Sequence, residues 1–368
     1  MQKRVLITGN EACGAGAIAA GCDCYFGYPI TPQNELTAYM SRHMPEQGRV
    51  FVQAESEVSA INMVYGASAA GRRVMTSSSS PGISLKQEGI SYLAGSELPA
   101  VIINVQRGGP GLGNIEPSQA DYFQAVKGGG HGDYRMIVLA PSSVQEMYDF
   151  TRRAFYLADR YRMPVMVLSD GRLGQMMEPL RPGKGSKSSA AKLPPKDWAL
   201  TGASGGRPKR VVKSFFPADG TLERHNLELE KKYNLIRRTQ SRAGEYFCED
   251  AEVVLAAYGT AARLCREAVR RARAKGLPLG LLRPVTLWPF PAARVKKLAA
   301  RARAFLVVEM SSGQMVEDVR LAVEGRVPVA FYGRSGGGVP EIGEIYRRAH
   351  RLLREKAQGG SQDRGTVS

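Results

Sequence analysis

Cysteine is scarce in this chain of 368 residues, with five in all, at positions 13, 22, 24, 248 and 265. An odd number without a secretory signal argues against a disulfide framework. The closely spaced run of four thiolates that holds an iron–sulfur cluster is also missing; Cys22 and Cys24 form a lone C-x-C pair. The expectation is five buried small hydrophobes and no metal site. Long apolar runs are absent too, and none approaches the ~18 residues needed to span a bilayer. After Lys3 and Arg4 only Val-Leu-Ile precedes Thr8, too short for the core of a secretion signal, so cytoplasm and no membrane contact are expected.

Acid is the other shortage. There are 34 Asp and Glu against 51 Lys and Arg, a net charge of +17. The excess is concentrated between 263 and 303, where Glu267 is the single acid. Arg263, Arg266, Arg270, Arg271, Arg273 and Lys275 fall on one predicted helix, interleaved with alanines. Such a stripe invites a nucleic-acid reading. No nucleic-acid motif or stacking aromatic accompanies it, so the expectation is a solvated helix face and no nucleic acid. Docking of an acidic protein partner is the rival.

What is present is a globular chain, 43% hydrophobic and long enough for two domains. Over roughly the first 180 residues short apolar runs alternate with helical patterns, the βαβ rhythm of a parallel sheet covered by helices. Strands are predicted at 4–7, 24–29, 50–53, 73–77, 100–106, 136–140 and 164–169, with helices at 32–42, 56–70 and 143–158 between them. Ser56 is placed to cap the second of these helices. From 179 to about 217 Gly, Ser, Lys and Pro dominate, predicting an extended connector or flexible arm. Residues 221–246 read as a charged helix. A second alternating unit then runs through strands at 253–257, 278–282, 304–309 and 327–332, with helices at 261–274, 292–301 and 314–323. From Arg351 a polar, frayed tail is expected.

Four blocks stand at the carboxyl ends of predicted strands, where open α/β sheets bind ligands. They are Phe-Gly-Tyr-Pro-Ile-Thr-Pro at 26–32, Gln-Ala-Glu-Ser-Glu-Val-Ser-Ala at 53–60, Thr-Ser-Ser-Ser-Ser-Pro-Gly at 76–82 and Val-Gln-Arg-Gly-Gly-Pro-Gly-Leu-Gly at 105–113. In order and spacing they resemble the α subunit of the 2-oxoacid:ferredoxin oxidoreductases, enzymes dependent on thiamine diphosphate. Ala-Tyr-Gly-Thr at 257–260, the 282–291 segment and Val-Val-Glu-Met-Ser-Ser-Gly at 307–313 follow in the family's order. The resemblance implies an α/β thiamine diphosphate-binding fold, with a pyrimidine domain at 1–180 and a connector with a charged helix at 181–245. A transketolase C-terminal-like domain at 246–350 and a polar tail at 351–368 complete it.

The same resemblance assigns roles. Glu57 is the implied catalytic group. A carboxylate that hydrogen-bonds N1′ of the cofactor's pyrimidine drives the tautomer from which the 4′-amino group activates the thiazolium, and burial at a strand–helix junction suits that task. Taken without the family, Glu55 and Glu57 are also first-turn acids that complement a helix dipole. Thr31 and Arg107 are the implied clamp for a 2-oxoacid carboxylate, which arginine's fork matches with two parallel hydrogen bonds. Thr31 is equally an N-cap candidate for the helix at 32–42. Pro29, Glu57, Ser79 and Ser80 are implied cofactor contacts. Ser80, Pro81 and Gly82 are predicted to form a Pro-Gly turn. His131, in the glycine-rich run 128–133, is a candidate for lining the site, against a plain structural hydrogen-bonding role.

Two other motifs are set aside. The Gly14–Gly16 run matches a dinucleotide fingerprint only formally, because its glycines fall inside a predicted helix. Asp170 and Gly171 begin like a thiamine diphosphate and Mg²⁺ motif, but Ser169 replaces the first glycine and no Asn pair follows. The chain is therefore expected to hold half a site. The implied β subunit supplies the diphosphate site, Mg²⁺ and a [4Fe–4S] cluster, with γ and ferredoxin-like δ subunits, ferredoxin as acceptor and CoA as co-substrate. The glycine-rich run after Arg107, with Gln-Met-Met-Glu-Pro at 175–179, looks most like the branched-chain (3-methyl-2-oxobutanoate) members. The 2-oxoglutarate members are the runner-up, and a non-catalytic scaffold is the alternative from another class.

Overall fold

Thr8 shows how tightly local chemistry sets the element boundaries. It closes strand β1 (Val5–Thr8), and its hydroxyl accepts from Glu11 N while the Glu11 carboxylate accepts from Thr8 N, a reciprocal cap that starts helix α1 (Gly9–Ala20). The computed structural model describes residues 4–183 and 193–355. In chain order there follow β2 (Cys24–Gly27), α2 (Asn34–His43), β3 (Val50–Gln53), α3 (Glu57–Ala69), β4 (Val74–Ser78), α4 (Ser80–Gly95) and β5 (Ala100–Gln106). Then come α5 (Tyr122–Lys127), β6 (Ile137–Leu139), α6 (Val144–Tyr161), β7 (Pro164–Asp170), α7 (Gly171–Gln175) and β8 (Met177–Leu180). Strands run β6-β7-β5-β4-β2-β3, all parallel, while β1 and β8 form a separate antiparallel ribbon.

The glycines of the apparent dinucleotide motif lie inside α1, as expected, and their use is packing. A Cβ on Gly14 would stand 2.5 Å from the Tyr39 ring, and one on Gly16 2.5 Å from Tyr148 O. Bare backbone lets α1 approach α2 and α6.

Helix α8 (Thr221–Gln240) leads into the second sheet. Strand β9 (Ala243–Tyr246) comes first, then β10 (Val253–Ala256), α9 (Gly259–Arg273), β11 (Leu279–Pro284), β12 (Thr286–Trp288), α10 (Ala292–Ala299), β13 (Ala304–Glu309), α11 (Met315–Val323), β14 (Val329–Gly333) and α12 (Ile342–Arg354). The order is β14-β13-β10-β11-β9, parallel except for the β9 edge. Strand β12 leaves this unit and pairs antiparallel with β6, closing one edge of the first sheet. The seam is polar: Arg283 forks Glu146, Arg263 pairs with Glu178, and Thr260 donates to Asp170. Asp170 is thus consumed in capping α7 and holding the start of α9.

Several expectations are corrected. Ser80, Pro81 and Gly82 form no turn; they are the first residues of the 16-residue helix α4, with proline where its missing N–H is harmless. The charged helix stops at Gln240, and the following Ala243–Tyr246 is an edge strand. Helix α12 carries through Arg351 to Arg354; the expected tail at 356–368, and the connector at 184–192, lie outside the described residues. The rest of the connector is partly anchored, since Leu200 N bonds Ala69 O and Lys196 reaches Gly71 O and Asp159.

All five cysteines are free and buried, as small hydrophobes would be. Most of the basic helix face is neutralised or stacked. Arg270 and Arg271 share Glu267, Arg273 pairs with Asp250, and Arg266 and Lys275 lie over Tyr246 and Tyr346. Among the described residues no helix is long and apolar enough to cross a membrane.

Candidate active site

Parallel pairing brings the ends of β2, β3, β4 and β5 to one edge, and with them the four sequence blocks. Ser56 caps α3 by accepting from Ser59 N, which makes Glu57 the first helical residue and turns it inward at 6% exposure. Glu55 is exposed and held by Ser59. The Glu57 carboxylate accepts no hydrogen bond among the described residues. Helix α4 abuts it so closely that a Cβ on Gly82 would lie 2.5 Å from Glu57 Oε1 and closer still to Ser78 Oγ.

Arg107, at the end of β5, is 7% exposed. Its Nη1 donates to Thr31 O at 3.0 Å and its Nη2 to Leu112 O at 2.9 Å, so the two proposed clamp residues are brought together. Among the described residues Nε has no partner, and most of the fork's five donors remain unused. Thr31 is not an N-cap. Helix α2 begins at Asn34 behind Gln33, and Thr31 Oγ1 accepts from Asn34 Nδ2 at 3.2 Å. Ser80 Oγ accepts from Arg107 N at 3.0 Å and donates to Asp121 Oδ2 at 2.6 Å, so that hydroxyl is occupied within the protein. Asp121 also accepts from Asn104 Nδ2; burial pushes its carboxyl above the usual range, against these two hydrogen bonds.

Ser79 is fully buried with an unpartnered hydroxyl, as are Thr76 and Ser78. Pro29 stands exposed at the rim. His131 does not join this group. It is exposed and lines a separate pocket of about 320 Å³ with Ser91, Tyr92, Gly95 and His225, toward the other end of α4.

Sequence reasoning missed two features. Lys86 on α4 is completely buried, with its Nζ 3.4 Å from Glu57 O, although lysine is among the residue types least often fully buried. The second is the brace beneath Arg107. Gln119 N bonds Met310 O, its Oε1 accepts from Met310 N, and its Nε2 donates to Tyr258 O. Gln314 accepts from Phe123 N at 2.8 Å and donates to Ala120 O at 2.7 Å. The carboxyl edge of the second sheet thereby fixes the 118–123 segment that carries Asp121. These contacts join residues about 140 to 195 positions apart, beyond any local pattern.

The residues fit one part of thiamine diphosphate. A buried carboxylate with free lone pairs, beside unpartnered serine hydroxyls, suits a nitrogen heterocycle. Among the described residues no group of three His, Cys, Asp or Glu side chains is placed to hold a metal ion.

A family model described as pyruvate flavodoxin/ferredoxin oxidoreductase, thiamine diP-binding, matches residues 15–232, and the pyruvate:ferredoxin oxidoreductase core domain II matches 251–345. The chain belongs to the 2-oxoacid:ferredoxin oxidoreductase family and is a subunit of an oxidoreductase of that class. It is 54% identical to the ketoisovalerate oxidoreductase subunit VorB of Methanothermobacter marburgensis, over 95% of this chain and 98% of that relative. It is 39% identical to the 2-oxoglutarate synthase subunit KorA of Methanothermobacter thermautotrophicus, over 94% and 98%. The 2-oxoglutarate:ferredoxin oxidoreductase of Magnetococcus marinus, solved with 2-oxoglutarate, coenzyme A and succinyl-CoA bound, superposes with a TM-score of 0.85 at 28% identity, over 96% of this chain and 66% of that one. A split-gene transketolase, 14% identical with a TM-score of 0.58 over 94% and 96%, shares the fold alone.

Proposed function

We propose that this chain is the α subunit of a 2-oxoacid:ferredoxin oxidoreductase that converts 3-methyl-2-oxobutanoate and CoA to the acyl-CoA and CO₂, passing electrons singly to ferredoxin. The observation that carries the reading is the buried Glu57 carboxylate left without a partner at the same sheet edge as Thr31 and Arg107. Bound thiamine diphosphate supplies the nucleophilic carbon and the electron sink for decarboxylation. Glu57 accepts a hydrogen bond at the pyrimidine N1′ and holds charge there. The free N–H groups of Arg107, with the Thr31 hydroxyl, orient the 2-oxoacid carboxylate. The residues around Glu57 serve the pyrimidine half, and a β subunit brings the diphosphate site, Mg²⁺ and a [4Fe–4S] cluster; γ and ferredoxin-like δ subunits complete the electron path.

The branched-chain substrate is favoured by the loop after Arg107. Residues 108–116 contain Leu112 and Ile115, both exposed, and no cation. A 2-oxoglutarate site needs a second positive group for the distal carboxylate, which this loop does not offer. The likeness to ketoisovalerate subunits points the same way. The 175–179 segment contributes elsewhere, because Met177–Leu180 forms the β8 ribbon and Glu178 holds the domain seam.

The test is the co-purified complex assayed with a panel of 2-oxoacids, CoA and a viologen dye. The highest kcat/KM is expected for 3-methyl-2-oxobutanoate. Faster turnover of 2-oxoglutarate would replace the substrate assignment, and no turnover of any 2-oxoacid would return the scaffold reading. The chain purified alone is expected to be colourless and inactive.

A further inference from the structure

Lys86 has no ordinary structural explanation. It is 0% exposed, yet its ammonium makes a single hydrogen bond, a long one of 3.4 Å to the main-chain carbonyl of Glu57. Among the described residues two of its three donors have no partner. It also faces the first turn of α3, the positive end of a helix, where a cation is disfavoured. Unpaired buried charge, unmet donors and an opposing dipole all act against folding. An apolar side chain of similar length would avoid all three.

The placement has one consistent beneficiary. Lys86 stands one turn beyond Gly82 on α4, on the same helix face, and Gly82 is the residue pressed against Glu57 Oε1. Among the described residues Glu57 is the only charged group acting on Lys86. The titratable groups on α4 and on the neighbouring elements are engaged elsewhere. Glu55 is exposed and bonded to Ser59, Glu88 holds Tyr92, and Tyr25 is bonded to Ser77 and Thr37.

We infer that Lys86 is a positioning residue for Glu57: its buried ammonium sets a positive charge beside the neighbouring carboxylate when cofactor and partner exclude water, and pins the first turn of α3. The inference rests on the reading of Glu57 as the carboxylate that engages the pyrimidine. Burial pushes the Lys86 ammonium down and Glu57 opposes that, leaving it at about 8. Below that pH the lysine is a cation. Its removal takes a positive charge from beside the site, so the acidic limb of the rate profile is expected to move to higher pH.

The experiment compares wild type, Lys86→Met and Lys86→Gln in the assembled complex. It measures the pH profile of kcat/KM for the 2-oxoacid and, separately, the affinity of cofactor-depleted complex for thiamine diphosphate, followed by protein fluorescence. Both variants should move the acidic limb up by about one pH unit or more and weaken cofactor binding by about tenfold or more. Glutamine keeps a donor for Glu57 O but not the charge. If Lys86→Gln matches wild type in both measurements, Lys86 serves only as a hydrogen bonder and the inference falls. Should Lys86→Met fail to assemble, the glutamine variant alone decides. A separate Glu57→Gln complex with full turnover and unchanged cofactor affinity would refute the reading of Glu57 itself, whatever Lys86 does.

Discussion

Glu57 and Glu309 are the same residue type at the same kind of place, the carboxyl edge of a parallel sheet, and the protein treats them in opposite ways. Glu309 closes β13 and is 0% exposed. Its carboxylate accepts from Gln314 N, Met315 N, Val316 N and Ser311 Oγ, so it occupies the N-terminal turn of α11 as a bound anion would. Burial pushes its carboxyl upward while these hydrogen bonds pull it back. Glu57 is almost as deeply buried and has no partner for its carboxylate among the described residues. The second sheet has filled its own ligand crevice with protein. The first leaves the Glu57 carboxylate and the buried hydroxyls of Thr76, Ser78 and Ser79 without hydrogen-bond partners among the described residues. Satisfaction, more than burial, separates these two carboxylates, and the proposed role of Glu57 rests on that difference.

The largest expected effect tests that contrast directly. Glu57→Gln should permit assembly and cost less stability than Glu309→Gln, its loss limited to the charge opposite the buried Lys86, while kcat falls by roughly 10²–10⁴-fold, the span of a lost acid–base role. Arg107→Ala comes next. Loss of a buried charged partner costs about 2–5 kcal/mol in kcat/KM for the 2-oxoacid, with Arg107→Lys retaining part of it and the KM for CoA little changed. A rise in the CoA KM with unchanged 2-oxoacid saturation would instead give Arg107 to the CoA phosphates. Glu309→Gln should behave as the inverse of Glu57→Gln. Its amide turns donors toward backbone N–H groups, which destabilises by about 1–3 kcal/mol in denaturant unfolding, while any complex that assembles keeps its substrate preference. Equal losses of stability at 57 and 309 would dissolve the comparison.

Much of this was legible in the sequence. Strands β3, β5 and β13 fall where their apolar runs end, and Ser56 caps α3 as its position suggests. The meeting of Thr31, Glu57 and Arg107 at one edge could be read from block order, because parallel pairing of β2, β3, β4 and β5 delivers their ends there. Helix α4 was not legible, since Ser-Pro-Gly carries the local signature of a turn and only the contact of Gly82 with Glu57 shows why glycine stands there. Lys86 was hidden for a related reason: a lysine on a helix predicts solvent, and tertiary placement overrides that prior. The edge strand β12 and the grip of Gln119 and Gln314 on distant backbone have no local signal at all.

The smallest expected effect probes how far the two regions depend on each other. Gln314 links them, because it follows Glu309, donates its own N–H to that carboxylate and clamps Ala120 and Phe123 with its side chain. Gln314→Ala removes two neutral hydrogen bonds, each worth about 1 kcal/mol net, so a modest fall in melting temperature is expected. The further consequence runs through Asp121, Ser80 and the backbone of Arg107. If the second sheet braces the substrate clamp, kcat/KM for the 2-oxoacid should drop several-fold in Gln314→Ala, and the drop should vanish in an Arg107→Ala background, since contacts in one network do not add. Equal drops in both backgrounds would mean that Gln314 stabilises the fold without steering Arg107, and that the two carboxyl edges work independently.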